Sequence, residues 1–163
     1  MDLGLAGRKA LVLGASRGLG AASARLLAAE GAAVFGAARN TEAVAAWSAG
    51  MAVTPVALDL ADPASVAAVA AAMASEEIDI LVNNCGGPAA GPAQGQSTAA
   101  WQSAFAAMAT SIFALTDALL PGMIARGFGR VITVGSSGVV APIPNLALSN
   151  GVRGAVAGWS KTL

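Results

Sequence analysis

The chain has 163 residues, with nine basic and nine acidic side chains that cancel to a formal net charge of zero. That balance argues against a nucleic-acid-binding surface. Hydrophobic residues reach 56%, but much of that is alanine, which suits tightly packed helices more than a membrane, and the length fits one domain, 1–163, with its own core. Arg8 and Lys9 have no long apolar stretch behind them, so no signal peptide is expected. The uncharged stretch 80–116 is broken by Gly86, Gly87, Pro88, Gly91 and Pro92, which argues against a continuous spanning helix there. Cys85 stands alone, so no internal disulfide is expected and a reducing cytoplasm fits. Histidine and tyrosine are both absent. No metal is expected.

Taken in order, residues 9–13 read as a short buried strand. Residues 21–30 form an alanine-rich helix with Gly31 as its C-cap. Residues 33–37 are apolar on both faces, as a central parallel strand requires. Thr41 and Glu42 open a short helix to Ser48, and 52–58 form a third strand. Asp62 and Pro63 mark a helix start, with Asp as N-cap and Pro in the first turn, and that helix runs to Ser75. A fourth strand, 78–82, ends in Asn83-Asn84-Cys85-Gly86-Gly87. A Gly- and Pro-rich loop, 88–96, leads to a long helical stretch, 97–126, with a bend expected near Pro121. The fifth strand, 130–134, is followed by Gly135-Ser136-Ser137-Gly138, and a last helix spans 148–163. Strands alternate with helices throughout, so the class is α/β with a parallel sheet and helices on both faces.

The first strand runs into Gly14-Ala15-Ser16-Arg17-Gly18-Leu19-Gly20, and a helix follows. A strand, a glycine turn and a helix N-terminus together let a pyrophosphate approach bare backbone, where free N–H groups and the helix dipole favour its charge. The spacing is G-x-x-x-G-x-G rather than the G-x-G-x-x-G fingerprint. An NAD site wants a carboxylate at the end of the second strand. Here that place holds Ala38, followed by Arg39, while Arg17 lies inside the turn. Two arginines without an acid suit the 2′-phosphate of NADP(H); as plain surface charges they would carry no such meaning. Asp59 stands at the end of the third strand, where it either touches an adenine or caps the approach to the next helix.

Together these residues resemble the short-chain dehydrogenase/reductase family. The turn Gly14–Gly20 matches its T-G-x-x-x-G-x-G, with Leu13 in place of Thr. Asn83-Asn84-Cys85-Gly86 matches N-N-A-G, and the strand from Gly129 ends at Ser136, where the family has its catalytic serine. Trp159-Ser160-Lys161-Thr162-Leu163 is similar to the end of its active-site helix. The resemblance spans the whole chain and implies a Rossmann-like doubly wound sheet of strand order 3-2-1-4-5. It also implies cofactor contacts from Gly14, Ser16, Arg17, Gly18, Leu19, Gly20, Arg39, Asp59, Leu60, Asn84 and Gly86. Many relatives are 3-oxoacyl-acyl-carrier-protein reductases. The family pairs the long helix and the last helix across a two-fold axis, which implies a homodimer or homotetramer. Family members also run on past the point that residue 163 matches, adding two strands and a substrate lid. On that comparison the sequence reads as a fragment whose fifth strand is an apolar edge.

The catalytic set departs from the family's Asn, Ser, Tyr and Lys. Ser136 matches the serine, but Ser149 stands at the tyrosine position, Arg153 at the lysine position and Met108 at the asparagine position. Carbonyl reduction needs a proton donor at the developing alkoxide. Serine is a poor acid, and arginine holds its proton at any working pH. Arg153 is read either as a cation for a ribose or a substrate anion, or as a solvent-facing helix residue. Ser136 is read as a site residue or as a turn residue. Cys85 is read as a nucleophile or, without a histidine to activate it, as a small buried hydrophobe. Two functions remain open: an NADP(H)-dependent oxidoreductase acting on a small carbonyl or alcohol, or a dinucleotide-binding pseudoenzyme or partner subunit.

Overall fold

A computed structural model describes residues 3–163. Five parallel strands form one sheet: β1 (Lys9–Leu13), β2 (Ala33–Ala38), β3 (Val53–Ala57), β4 (Ile80–Asn83) and β5 (Arg130–Thr133), ordered β3-β2-β1-β4-β5. The helices are α1 (Gly18–Ala29), α2 (Thr41–Ser48), α3 (Pro63–Ala74), α4 (Thr98–Phe105), α5 (Ser111–Ala125) and α6 (Ala147–Ser160). The order reverses between β1 and β4, which opens a crevice at the carboxyl ends of the strands, the usual ligand site of such sheets. Each element expected from the sequence is present, with ends shifted by a few residues. The largest shifts are in α1, which starts at Gly18 because Arg17 is extended and ends the turn there, and in α6, which ends at Ser160.

The strands are apolar because both faces of the sheet are covered. On one face Leu11, Leu13 and Leu81 pack with Val66 and Met73 of α3 and Leu115 and Leu119 of α5. On the other Val12, Val34, Ile80 and Val82 pack with Ala24 of α1 and Val44 of α2. Pro55 is tolerated in β3 because that strand is an edge. β5 is the opposite edge, and Ile132 on it is 50% exposed. The helix caps follow the sequence: the Asp62 carboxylate accepts the Ala64 N–H at 3.0 Å, and Asn40 accepts the Ala43 N–H at 2.9 Å.

The long helix differs from expectation in one respect. Pro121 lies within α5 without ending it, and the irregularity falls instead at Ala106–Thr110, a π turn between α4 and α5. Hydroxyls take up the carbonyls around this widened turn: Thr110 donates to Phe105 and Ala106, and Ser111 donates to Ala107 at 3.0 Å. The whole run Thr98–Ala125 is 28 residues, long and apolar enough by length and composition to cross a membrane. Its inner side is packed, with Ala104, Met108, Ala109, Ile112, Leu115, Leu119 and Met123 all buried.

Candidate functional site

A cleft of about 510 Å³ opens at the carboxyl ends of β1 to β4. Gly14, Ser16, Arg17 and Gly18 line it from the turn after β1, and Ala38, Arg39 and Asn40 from the end of β2. Leu58, Asp59, Leu60 and Ala61 follow β3, and Asn84, Cys85, Gly86 and Gly87 follow β4. Ala107 of the π turn completes the wall.

The turn needs its glycines for different reasons. Gly14 has φ +65°, and a Cβ there would lie 2.6 Å from Asn84 Nδ2. Gly20 is buried, and a Cβ on it would run into the Gly14 carbonyl. Asn84 closes the same corner by donating from Nδ2 to the Leu13 carbonyl at 3.1 Å. Turn, helix and β4 loop are thus locked together with no room for side chains. Gly18 also has a positive φ, +59°, but open space around it.

The start of α1 is prepared for an anion. Its N-cap, Arg17, makes no side-chain cap bond, and no acidic residue lies in the first turn. Among the described residues the Ser16 N–H has no acceptor either. Orphan donors and an uncompensated dipole at one helix end favour a phosphate.

Not every residue expected at the cofactor lies on the cleft. Leu19 is 66% exposed on the outside of α1 and is not part of the wall. Gly20 acts through close packing and does not line the cleft. The helix starting at Gly18 turns Leu19 outward, while Gly20 faces the Gly14 carbonyl and Asn84 behind the cleft surface. Asp59 lines the cleft, yet its Oδ1 accepts the Ala61 N–H at 3.0 Å, the turn role that the sequence left open beside the adenine role.

The catalytic candidates are spread out. Ser136 caps the short 3₁₀ turn Ser137–Val139, its Oγ accepting the Gly138 N–H at 3.0 Å. Ser149 is half-buried on α6. Neither lines the cleft or a smaller cavity of about 100 Å³ behind it. Arg153 does line that second cavity, with Met108, Ile112, Thr133 and Val156, and its Nη1 donates to the Val134 carbonyl at 2.9 Å. It is therefore turned toward the sheet, not out to solvent. Cys85 borders both cavities, and burial pushes its thiol above the ordinary range, outweighing the Arg153 charge that pulls the other way. The sequence reading missed Ala37, Asn40, Leu58, Ala61, Gly87 and Ala107 on the cleft wall. The first five could have been found from the rule that strand ends line a switch-point crevice. Ala107 carries no signal, because only the π turn brings it there.

A profile described as short chain dehydrogenase matches residues 8–163. The chain belongs to the short-chain dehydrogenase family. Among its curated relatives, 3-oxoacyl-(acyl-carrier-protein) reductase FabG of Escherichia coli is 36% identical over 96% of this chain and 66% of its own length. D-threitol dehydrogenase of Mycolicibacterium smegmatis is 34% identical over 99% of this chain and 65% of its own. Among solved structures, L-sorbose reductase of Gluconobacter frateurii, complexed with NADPH and L-sorbose, superposes with a TM-score of 0.92 at 32% identity, over 99% of this chain and 65% of that one. A gluconate 5-dehydrogenase of Burkholderia cenocepacia in complex with NADP and tartrate gives 0.86 at 32% identity, over 96% and 64%. The chain thus spans just under two thirds of the length of these short-chain dehydrogenases.

Proposed function

We propose that the strand-end cleft binds NADP(H) and that the chain serves an oxidoreductase acting on a small carbonyl or alcohol. The observation that carries this reading is Arg17 and Arg39 on the cleft wall beside Ala38, where a ribose-binding carboxylate would otherwise stand. The residues fit the group: a glycine cradle without Cβ atoms and free N–H groups for the pyrophosphate, and guanidinium groups for a 2′-phosphate. Gly14, Ser16 and Gly18 would hold the pyrophosphate, Arg17 and Arg39 the 2′-phosphate, Asp59 and Leu60 the adenine side, and Asn84 and Gly86 the nicotinamide side. When bound, the nicotinamide supplies or accepts a hydride. Ser136 would orient the substrate oxygen, with the proton coming from water or the substrate itself. The two relatives described with bound NADP and NADPH support the same cofactor here. The reading extends to a cytoplasmic homodimer or homotetramer acting on a small molecule, with neither nucleic acid nor membrane as partner.

One observation favours a second reading, a dinucleotide-binding pseudoenzyme or partner subunit. Arg153 is occupied by the Val134 carbonyl and cannot relay a proton, and the chain has no tyrosine. Calorimetric titration with NADPH and NADH tests the shared part of both readings. NADPH should bind more tightly, and Arg39→Ala should erase most of the preference, at a cost of about 1.5–3 kcal/mol. Equal affinities in the unmodified protein would refute it. Ketone reduction assayed with NADPH then separates the enzyme from the pseudoenzyme.

A further inference from the structure

Charge is unevenly spread along the chain. No Asp, Glu, Lys or Arg falls between Asp79 and Asp117, nor between Arg130 and Arg153. Those neutral stretches hold the loop after β4, residues 84–97, and the loop after β5, residues 134–146. β4 and β5 pair in parallel with Asn83 opposite Thr133, so both loops leave the sheet side by side at its carboxyl end. The first begins on the cleft wall at Asn84 and Gly86, and the second carries Ser136. Further out they are joined again. The Gly91 N–H donates to the Asn145 carbonyl at 2.6 Å, and the Ala147 N–H donates to the Gly91 carbonyl at 3.2 Å. Asn150 of α6 ties down the second loop by donating from Nδ2 to the Ile143 carbonyl at 2.9 Å. The two loops thus form one continuous rim beside the nicotinamide end of the cleft.

The rim is apolar as well as neutral. Val140 is 90% exposed and Ile143 38%, with Pro142 and Pro144 exposed beside them. Ala89, Ala90, Pro92 and Ala93 are exposed on the other loop. Several polar side chains here are already spent on backbone: Gln96 donates to the Pro92 carbonyl at 3.0 Å, and Ser97 accepts the Ala100 N–H at 3.1 Å. Arg153 is turned to the smaller cavity and the Val134 carbonyl. Ser136 accepts the Gly138 N–H and so keeps its own O–H to donate to one neutral oxygen. A carboxylate, a phosphate or a run of hydroxyls seated here would give up water and gain few partners. An apolar body gives up nothing of that kind, and one carbonyl oxygen is enough to orient it. We propose that the substrate is an uncharged ketone with an apolar body, or the matching secondary alcohol, seated on this rim. The proposal rests on the oxidoreductase reading of the cleft and narrows it. It also sets this chain apart from the relatives named for threitol, gluconate and sorbose.

The test is binding, measured by calorimetry on protein saturated with the oxidised cofactor NADP, where a ketone can bind but cannot be reduced. The probes are 2-tetralone, L-sorbose and acetoacetate: an apolar ketone, a polyol ketone and an anionic one. 2-Tetralone should bind at least about tenfold more tightly than either of the others. Ile143→Asp should weaken 2-tetralone about tenfold and leave cofactor affinity unchanged. Val140→Asp alters a side chain that folding leaves in water, and it should act in the same direction. Leu26→Asp, on an exposed apolar side chain of α1 away from the rim, should change nothing and so excludes general stickiness. Equal or tighter binding of L-sorbose or acetoacetate would overturn the proposal. So would no binding of 2-tetralone, no effect of either rim variant, or an equal loss in Leu26→Asp. Each of these results leaves the cofactor reading intact, because cofactor affinity is measured on the same samples. Failure of the unmodified protein to bind the cofactor would overturn both.

Discussion

At the scale of single residues, the glycine turn separates two effects that sequence spacing merges. Gly18 needs glycine only for its positive φ, since nothing lies within 4 Å of a Cβ there. Gly20 has an ordinary φ but no space, because a Cβ would meet the Gly14 carbonyl and Asn84. Gly18→Ala should therefore cost about 1–2 kcal/mol, the strain of a left-handed alanine, and leave nucleotide binding measurable. Gly20→Ala must push apart backbone that forms the cradle itself. It should cost more in thermal denaturation and abolish NADPH binding in calorimetry. The reverse order would show that the cradle is softer than its packing suggests.

At the scale of elements, the π turn and α6 decide what chemistry is open to the chain. Met108 and Ala109 of that turn pack with Ala104 of α4 and with Leu148, Val152 and Val156 of α6. Gly151 is needed there because Trp101 of α4 rests on it, with 2.9 Å left for a Cβ. This packing holds α6 in place over the end of β5, and the Arg153 bond to Val134 ties it down. Carbonyl reduction by the unmodified protein should be very slow, since positioned acid catalysis contributes roughly 10²–10⁴ in rate. Ser149→Tyr combined with Arg153→Lys should raise ketone reduction with NADPH, and either change alone should do less. Efficient turnover by the unmodified protein that survives Ser136→Ala would overturn this placement of the chemistry. Turnover abolished by Ser149→Ala or Arg153→Ala would instead reveal a working alternative set.

At the scale of the whole molecule, the long helix and α6 are less open than their sequences imply. Ala104, Ile112, Leu115 and Val156 look available for an interface on a helical wheel, but all four are buried within the chain. Phe105 remains 39% exposed, and Ala155 and Trp159 are half-buried, with the Trp159 ring tilted against Phe113 at 4.4 Å between centres. An interface here is therefore narrower than helices apolar all round would give. A homodimer or homotetramer is still the expected state, and light scattering at micromolar concentration checks it. A folded monomer would refute it, while Phe105→Glu should weaken an oligomer built on this face.

The sequence by itself determined the parallel α/β architecture, because strand-length apolar runs alternate with capped helices and leave few other ways to bury both faces of a sheet. It also located the glycine turn, Asp62 at its cap and the cleft arginines, since these depend on residues close together in the chain. The 3-2-1-4-5 order entered through the family resemblance, and the hydrogen-bonded register agrees with it. Tertiary structure alone decided that Leu19 turns outward, that Arg153 spends a donor on Val134, and that the long helix widens at Ala106–Thr110 rather than at Pro121. It alone brought the Trp47 indole N–H to the Ala15 carbonyl across 32 positions of sequence. A pattern of residue types reports which face of an element is apolar. The direction of a side chain, and the carbonyl it reaches, depend on neighbours that only packing brings within a few ångströms.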